Sequence, residues 1–103
     1  MLDELFEPVS IGKMELRNRI VLLTSSMSYS ENHRGTQRDK AFFAERAKGG
    51  AGLIIVGILF PIDMGDAIGG SMGIYEDSLI PGLIELTKVV HHYEAKTAAQ
   101  LAL

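Results

Sequence analysis

Apolar and polar positions change period along this chain, and the changes mark its elements. Residues 9–16 alternate around Gly12-Lys13, with Val9 and Ile11 before the pair and Met14 and Leu16 after it. Two short apolar runs separated by a glycine-containing turn predict a β-hairpin. Arg19-Ile20-Val21-Leu22-Leu23 is then a compact apolar run that gives way to Thr24-Ser25-Ser26. A run of that length, bounded by polar residues, suits a buried strand of a parallel sheet. The polar stretch 28–36, which contains Gly35, reads as a loop.

Thr36 and Asp39 stand three residues apart, as in a capping box, with Asp in place of the usual Glu or Gln. The helix they open runs to about Lys48, with Phe43 and Ala47 on one face. Gly49-Gly50 stops it, because glycine takes the left-handed conformation at a helix end cheaply. Leu53-Ile54-Ile55-Val56 is the clearest strand, expected to close at Gly57. Residues 61–76 are glycine-rich without a period and read as one long loop, the kind of connection that often carries function. Asp77 or Ser78 is placed to cap a second helix, with Pro81 in its first turn, where a missing N–H costs little. Leu83, Leu86, Val90 and Tyr93, flanked by Ile84 and Val89, form one apolar stripe along it. A third strand is expected from Thr97 to Leu101.

The order is hairpin, β, α, β, α, β, which means βαβ units around a parallel sheet. No linker divides residues 1–103, so they read as part of one domain. An apolar strand at the end of the chain leaves a pairing-competent edge. The expectation is therefore a domain cut within or just after its third strand, with self-association through that edge as one consequence.

Composition narrows the function. Of 103 residues, 47% are hydrophobic and 22% charged, which is ordinary for a globular protein and not for a disordered one. The net charge is −3, and Lys13, Arg17 and Arg19 are punctuated by Glu15, so no footprint for nucleic acid is visible. There is no cysteine, hence no disulfide frame and no thiolate metal site, which fits a cytoplasmic protein. The opening Met-Leu-Asp-Glu-Leu-Phe-Glu is acidic where a signal peptide is basic. The apolar run from Leu53 to Pro61 falls far short of the roughly 20 residues that cross a bilayer.

In parallel α/β folds the working groups sit at the carboxyl ends of the strands. Those ends are Thr24-Ser25-Ser26, Gly57-Ile58 and the segment from Gln100 on. Short hydroxyl side chains offer hydrogen bonds without bulk, Gly57 would let a flat ring approach the backbone, and Gln100 carries both a donor and an acceptor. A plain strand-to-loop transition favours the same residue types, so the residues alone leave both readings open. Gly69-Gly70-Ser71-Met72-Gly73 lacks the Lys-Ser/Thr ending of a phosphate loop and reads as a flexible loop. His91-His92 suit a helix C-terminus and, being adjacent, do not converge on a metal. His33 falls in a polar loop, where exposure is expected, and Asp63 with Asp66 is too small a set for a cation. Asn18-Arg19, at the opposite end of the strand from the chemistry, reads as a structural closure.

"LFEPVSIGKMELRNRIV" followed by "FFAERAKGGAGLIIVG", with "IYEDSLIPGL" and the closing "AAQLAL", resembles the opening of the Old Yellow Enzyme superfamily of NADH:flavin oxidoreductases. The string Ala-Glu-Arg-Ala-Lys-Gly-Gly argues against another FMN barrel such as a dihydroorotate dehydrogenase. The resemblance implies a (β/α)8 barrel, which needs about 250 residues, with a hairpin over its bottom. This chain would then be its N-terminal part, the hairpin and about two and a half β/α units. It implies FMN at the barrel mouth, NAD(P)H as reductant, and an activated C=C bond or oxygen as hydride acceptor. By the same resemblance Thr24, Ser25, Ser26, Gly57 and Gln100 are flavin contacts, with Gln100 on the pyrimidine edge. The catalytic acid and the phosphate site of the family lie further along, as do the cysteines of the iron–sulfur cluster that some members carry.

Overall fold

The computed structural model describes residues 2–24, 29–63 and 70–102. β1 (Val9–Ile11) and β2 (Met14–Leu16) form the expected hairpin, with Val9 opposite Leu16 and Ile11 opposite Met14. Gly12 takes a φ of +59°, the left-handed value that a two-residue hairpin turn asks of its centre. A 3-10 turn, Leu2–Phe6, precedes the hairpin and is tied to the following strand by the Arg19 N–H, which donates to the Leu5 carbonyl at 2.8 Å.

The main sheet is parallel. β3 (Val21–Leu22) and β6 (Lys96–Leu101) flank the long central β4 (Leu53–Phe60). Val21 pairs in register with Leu53 and Leu22 with Ile54, while Lys96 to Ala99 run beside Leu53 to Val56. This is the strand order that the sequence predicts, although β3 keeps only two residues of its apolar run. β4 departs from expectation. It does not close at Gly57 but continues to Phe60, with a register shift between Val56 and Leu59. Ile58-Leu59-Phe60 is itself β-prone and finds partners: Leu101 on the β6 side, and β5 (Met72–Gly73) pairing with Leu59 and Phe60. β5 lies inside the stretch expected to be plain loop; two residues are too few to leave a period in the sequence.

α1 (Gln37–Lys48) and α2 (Ile80–His92) pack on one face of this sheet. The capping box at α1 is as predicted. The Thr36 N–H donates to Asp39 Oδ2 at 2.9 Å, and the Asp39 N–H donates to Thr36 Oγ1 at 3.4 Å. Asp39 is buried and also accepts from Ser30 Oγ at 3.1 Å. At the other end Gly50, φ +116°, takes the conformation that stops the helix. Neither Asp77 nor Ser78 caps α2. They belong to a 3-10 turn, Asp77–Leu79, whose carbonyl at Asp77 already accepts the Ile80 N–H, and the Ser78 hydroxyl donates to Glu76 instead. Pro81 does sit in the first turn of α2. Phe43 and Ala47 of α1, Leu86 and Val90 of α2, and Ile54, Val56 and Leu59 of β4 make one core. A Lys40–Glu85 ion pair joins the helices at their surface, and it holds the Glu85 carboxyl below the usual carboxylate range. Val21, Leu23 and Leu101 are exposed at the sheet.

Arg17 locks the amino-terminal end of this arrangement. Its Nη2 donates to the carbonyls of Ala47 at 2.5 Å and Ala51 at 3.0 Å, and its Nη1 to that of Tyr93 at 2.6 Å. Ala47 lies in the last turn of α1 and Tyr93 caps α2, so one cation meets the negative ends of both helices. Asn18 adds a bond from Nδ2 to the Gly50 carbonyl at 2.6 Å and accepts the Ile20 N–H at 3.0 Å. The closure expected of Asn18-Arg19 is therefore made by Arg17 and Asn18, while Arg19 is exposed. Gly52 must be glycine for this contact, since a Cβ there would lie 2.5 Å from Asn18 Oδ1. Arg17→Leu, which keeps most of the stem and removes the guanidinium, should lower the unfolding free energy by about 2–4 kcal/mol, because three carbonyls lose a charged donor at once. Denaturant titration of the variant against the parent chain measures this.

Candidate functional site

Segments of three neighbouring strands meet at Gly57, which lies within β4. A Cβ built on it would lie 3.0 Å from Gln100 Cβ on β6 and 3.0 Å from Thr24 Cγ2, just past the end of β3. It would also come within 3.2 Å of the Gln100 carbonyl oxygen. The missing side chain thus lets the flanking strands close over β4, and Thr24 and Gln100 then meet: Thr24 Oγ1 donates to Gln100 Oε1 at 2.6 Å. A side chain there would press on Thr24 and Gln100, so the glycine brings these two residues together.

Gln100 is exposed, Thr24 half-buried. With Oε1 engaged by Thr24, the amide Nε2 of Gln100 has no partner among the described residues. The structure therefore brings Thr24, Gly57 and Gln100 together at the carboxyl end of the sheet, with Arg17 and Asn18 at the other end. Ser25 and Ser26 lie outside the described residues.

A second set of contacts stitches the loops above the strands. The Ser30 N–H donates to the Gly70 carbonyl at 3.1 Å and the Gly73 N–H to that of His33 at 2.9 Å. His33 is half-buried, not exposed as expected. Its Nδ1 lies 3.3 Å from the Ser71 carbonyl and its ring meets Tyr75 edge to face. The nearby cavity, about 190 Å³, is lined by His33, Arg34, Lys40, Met72 and Leu79 among others. Its two strong cations are already committed, Lys40 to Glu85 and Arg34 to Ser78. Asp66 lies outside the described residues, and among the described residues no three His, Asp or Glu side chains gather where they would hold a metal. No helix among them is long and apolar enough to cross a membrane.

A parallel β/α sheet with a hairpin at its amino end and a polar cluster at its carboxyl end defines the opening of a (β/α)8 barrel. Comparison with known proteins gives the family. The profile of the NADH:flavin oxidoreductase / NADH oxidase family matches residues 4–103, and the chain belongs to that family. It is 40% identical over 97 residues to a metal reductase of Desulforamulus reducens, covering 94% of this chain and 14% of that protein. Its structure superposes on 2-naphthoyl-CoA reductase in complex with 2-naphthoyl-CoA with a TM-score of 0.91 at 27% identity, over 98% of this chain and 16% of that one. It superposes on the old yellow enzyme homologue from Zymomonas mobilis with a TM-score of 0.85 at 27% identity, over 95% of this chain and 27% of that one. The chain thus spans about one-seventh of the curated relative's length.

Arg17 and β5 were not singled out by the sequence. Arg17 is one of three basic residues in a short span, and nothing local says which turns inward. For Gly57 the test is direct. Gly57→Ala should destabilise the fold by about 1–3 kcal/mol through overpacking and separate Thr24 from Gln100. Denaturant titration and the chemical shifts of the Gln100 side-chain amide read the two effects.

Proposed function

We propose that this chain supplies the first part of an FMN-dependent oxidoreductase that takes hydride from NAD(P)H and delivers it to an activated C=C bond or to oxygen. The observation that supports the reading most is the meeting of Thr24, Gly57 and Gln100 in the carboxyl-terminal part of the parallel sheet, in a chain of a flavin oxidoreductase family. Bound FMN would supply the hydride chemistry itself, and the protein's share is orientation and electrostatics.

The residues fit such a group. The ring's pyrimidine edge carries carbonyl oxygens, and Gln100 Nε2 is an uncommitted donor at the open end of the sheet. Thr24 holds the Gln100 amide in place, and Ser25 and Ser26 are the proposed further contacts from the same strand end. Exposed Leu23 beside them offers apolar surface for a flat ring. No acid or base for the reaction is assigned to these residues. The enone or enoyl-thioester class of substrate is the preferred one, since one superposed relative holds an aromatic acyl-CoA. An iron–sulfur cluster would draw its cysteines from outside these residues, which contain none. A cytoplasmic location belongs to the same proposal.

The exposure of β6 along most of its length favours a second reading, in which these residues alone are non-catalytic and associate through that edge. The two are separated by titrating FMN into the 103-residue chain and into the complete barrel polypeptide, followed by flavin fluorescence. Ligand sites bury roughly 70–90% of their ligand, and three strands of a barrel leave most of a flavin in water. The short chain is therefore expected to show no sub-micromolar binding and the complete polypeptide to show it. Gln100→Ala in the complete polypeptide should weaken binding by about 1–3 kcal/mol, the cost of leaving a buried polar partner unpaired. Tight binding with turnover by the short chain would contradict the proposal, and so would an unchanged affinity in Gln100→Ala.

A further inference from the structure

We infer that the flank of α1 carrying Arg38, Phe42 and Arg46 is the seam at which the barrel closes, and that the barrel's last helix meets it with carboxylate side chains. The inference goes beyond the flavin reading and does not depend on it. The sides of α1 are used differently. Phe43 and Ala47 enter the core. Lys40 and Ala44 lie toward α2, the first in the ion pair with Glu85, the second in a groove shared with Lys88 and Val89. At about 100° per residue, Arg38, Phe42 and Arg46 follow one another four apart on the flank opposite α2.

Aromatic rings hold both cations on this flank. The Arg38 guanidinium lies 3.9 Å from the centre of the Tyr29 ring, and that of Arg46 lies 3.8 Å from the centre of the Phe42 ring. The two rings meet edge to face with centres 6.5 Å apart. Each guanidinium thus rests on carbon and keeps its in-plane N–H donors for other partners. Arg38 has no hydrogen bond among the described residues, and Arg46 has only a 3.4 Å contact to the Phe42 carbonyl. Neither forms an ion pair there. A planar fork held in this way matches a carboxylate. The topology names the partner. β3 is an end strand of its sheet, paired only with β4. In a (β/α)8 barrel the first strand pairs with the last and the helices form an outer ring, so the free flank of the first helix faces the last helix. Arg38 and Arg46 stand about 12 Å apart along the axis, so the facing helix carries its acidic residues about two turns apart.

The test is carbodiimide cross-linking of the complete barrel polypeptide, which joins a lysine amine directly to a carboxylate in contact with it. Arg38→Lys and Arg46→Lys place an amine at each position and keep the charge. Mass spectrometry identifies the joined peptides, and the mass of the product separates links within one chain from links between two. The Lys40–Glu85 link, expected in the parent and in both variants, reports that the reaction works and that α1 and α2 are packed. The expected result is a new link within one chain, from position 38 or 46 to an Asp or Glu of the last helix, absent from the parent. Links only to Glu31, which lines the same cavity as Arg38, or to the adjacent Glu45 would overturn the inference. So would a covalent dimer joined through position 38 or 46, which would make the flank a contact between two copies. The Lys40–Glu85 link without any new one would overturn it as well.

Discussion

Everything in this chain is indexed to one guanidinium. Arg17 follows the hairpin directly and reaches the ends of both helices and the turn into β4 at once, through the carbonyls of Ala47, Tyr93 and Ala51. The carbonyls at a helix C-terminus lack partners within the helix and carry partial negative charge, so a cation shared between two such ends satisfies groups that water would otherwise have to reach. Asn18 extends the grip to Gly50 and to the start of β3. Neither helix can shift along the sheet without breaking these bonds, and the hairpin is held where it closes the amino end.

Fixing that end determines the other. Lys96 N–H donates to the Gly52 carbonyl and Gly52 N–H to that of Ile20, so the three parallel strands start in a set register. β4 and β6 then run side by side, and at Gly57 the Thr24 and Gln100 side chains meet. The core of Phe43, Ala47, Ile54, Leu86 and Val90 fills one face and keeps the strands from separating. What the sheet presents at its carboxyl end therefore follows from the register set at its amino end.

The elements were legible wherever the signal was local. Gly12-Lys13 between two apolar pairs, Thr36 with Asp39, and the unbroken run from Leu53 all announce their structure within a few residues. The same holds for the string Ala44-Glu45-Arg46-Ala47-Lys48-Gly49-Gly50, which led to the family. What was not legible depends on distant parts of the chain. Arg17 is recognisable only when the carbonyls of residues 30 and 76 positions away have arrived beside it. The continuation of β4 past Gly57 depends on β5 and Leu101 supplying partners. Thr24, Gly57 and Gln100 were each placed at a strand end by the order of elements. That Gly57 serves the meeting of the other two, across a separation of 76 residues, is a tertiary fact that no spacing carries.

The family match and the first strands of a barrel are consistent with the share of the chemistry proposed for these residues, orientation at one edge of a flavin ring. The most direct measurement is a crystal structure of the complete barrel polypeptide with FMN bound. The account predicts the pyrimidine edge of the ring at the carboxyl end of β3, β4 and β6, with Gln100 Nε2 in hydrogen-bond contact with a ring acceptor and the Thr24–Gln100 bond intact. A ring bound elsewhere, or Gln100 out of hydrogen-bond reach of it, would contradict it.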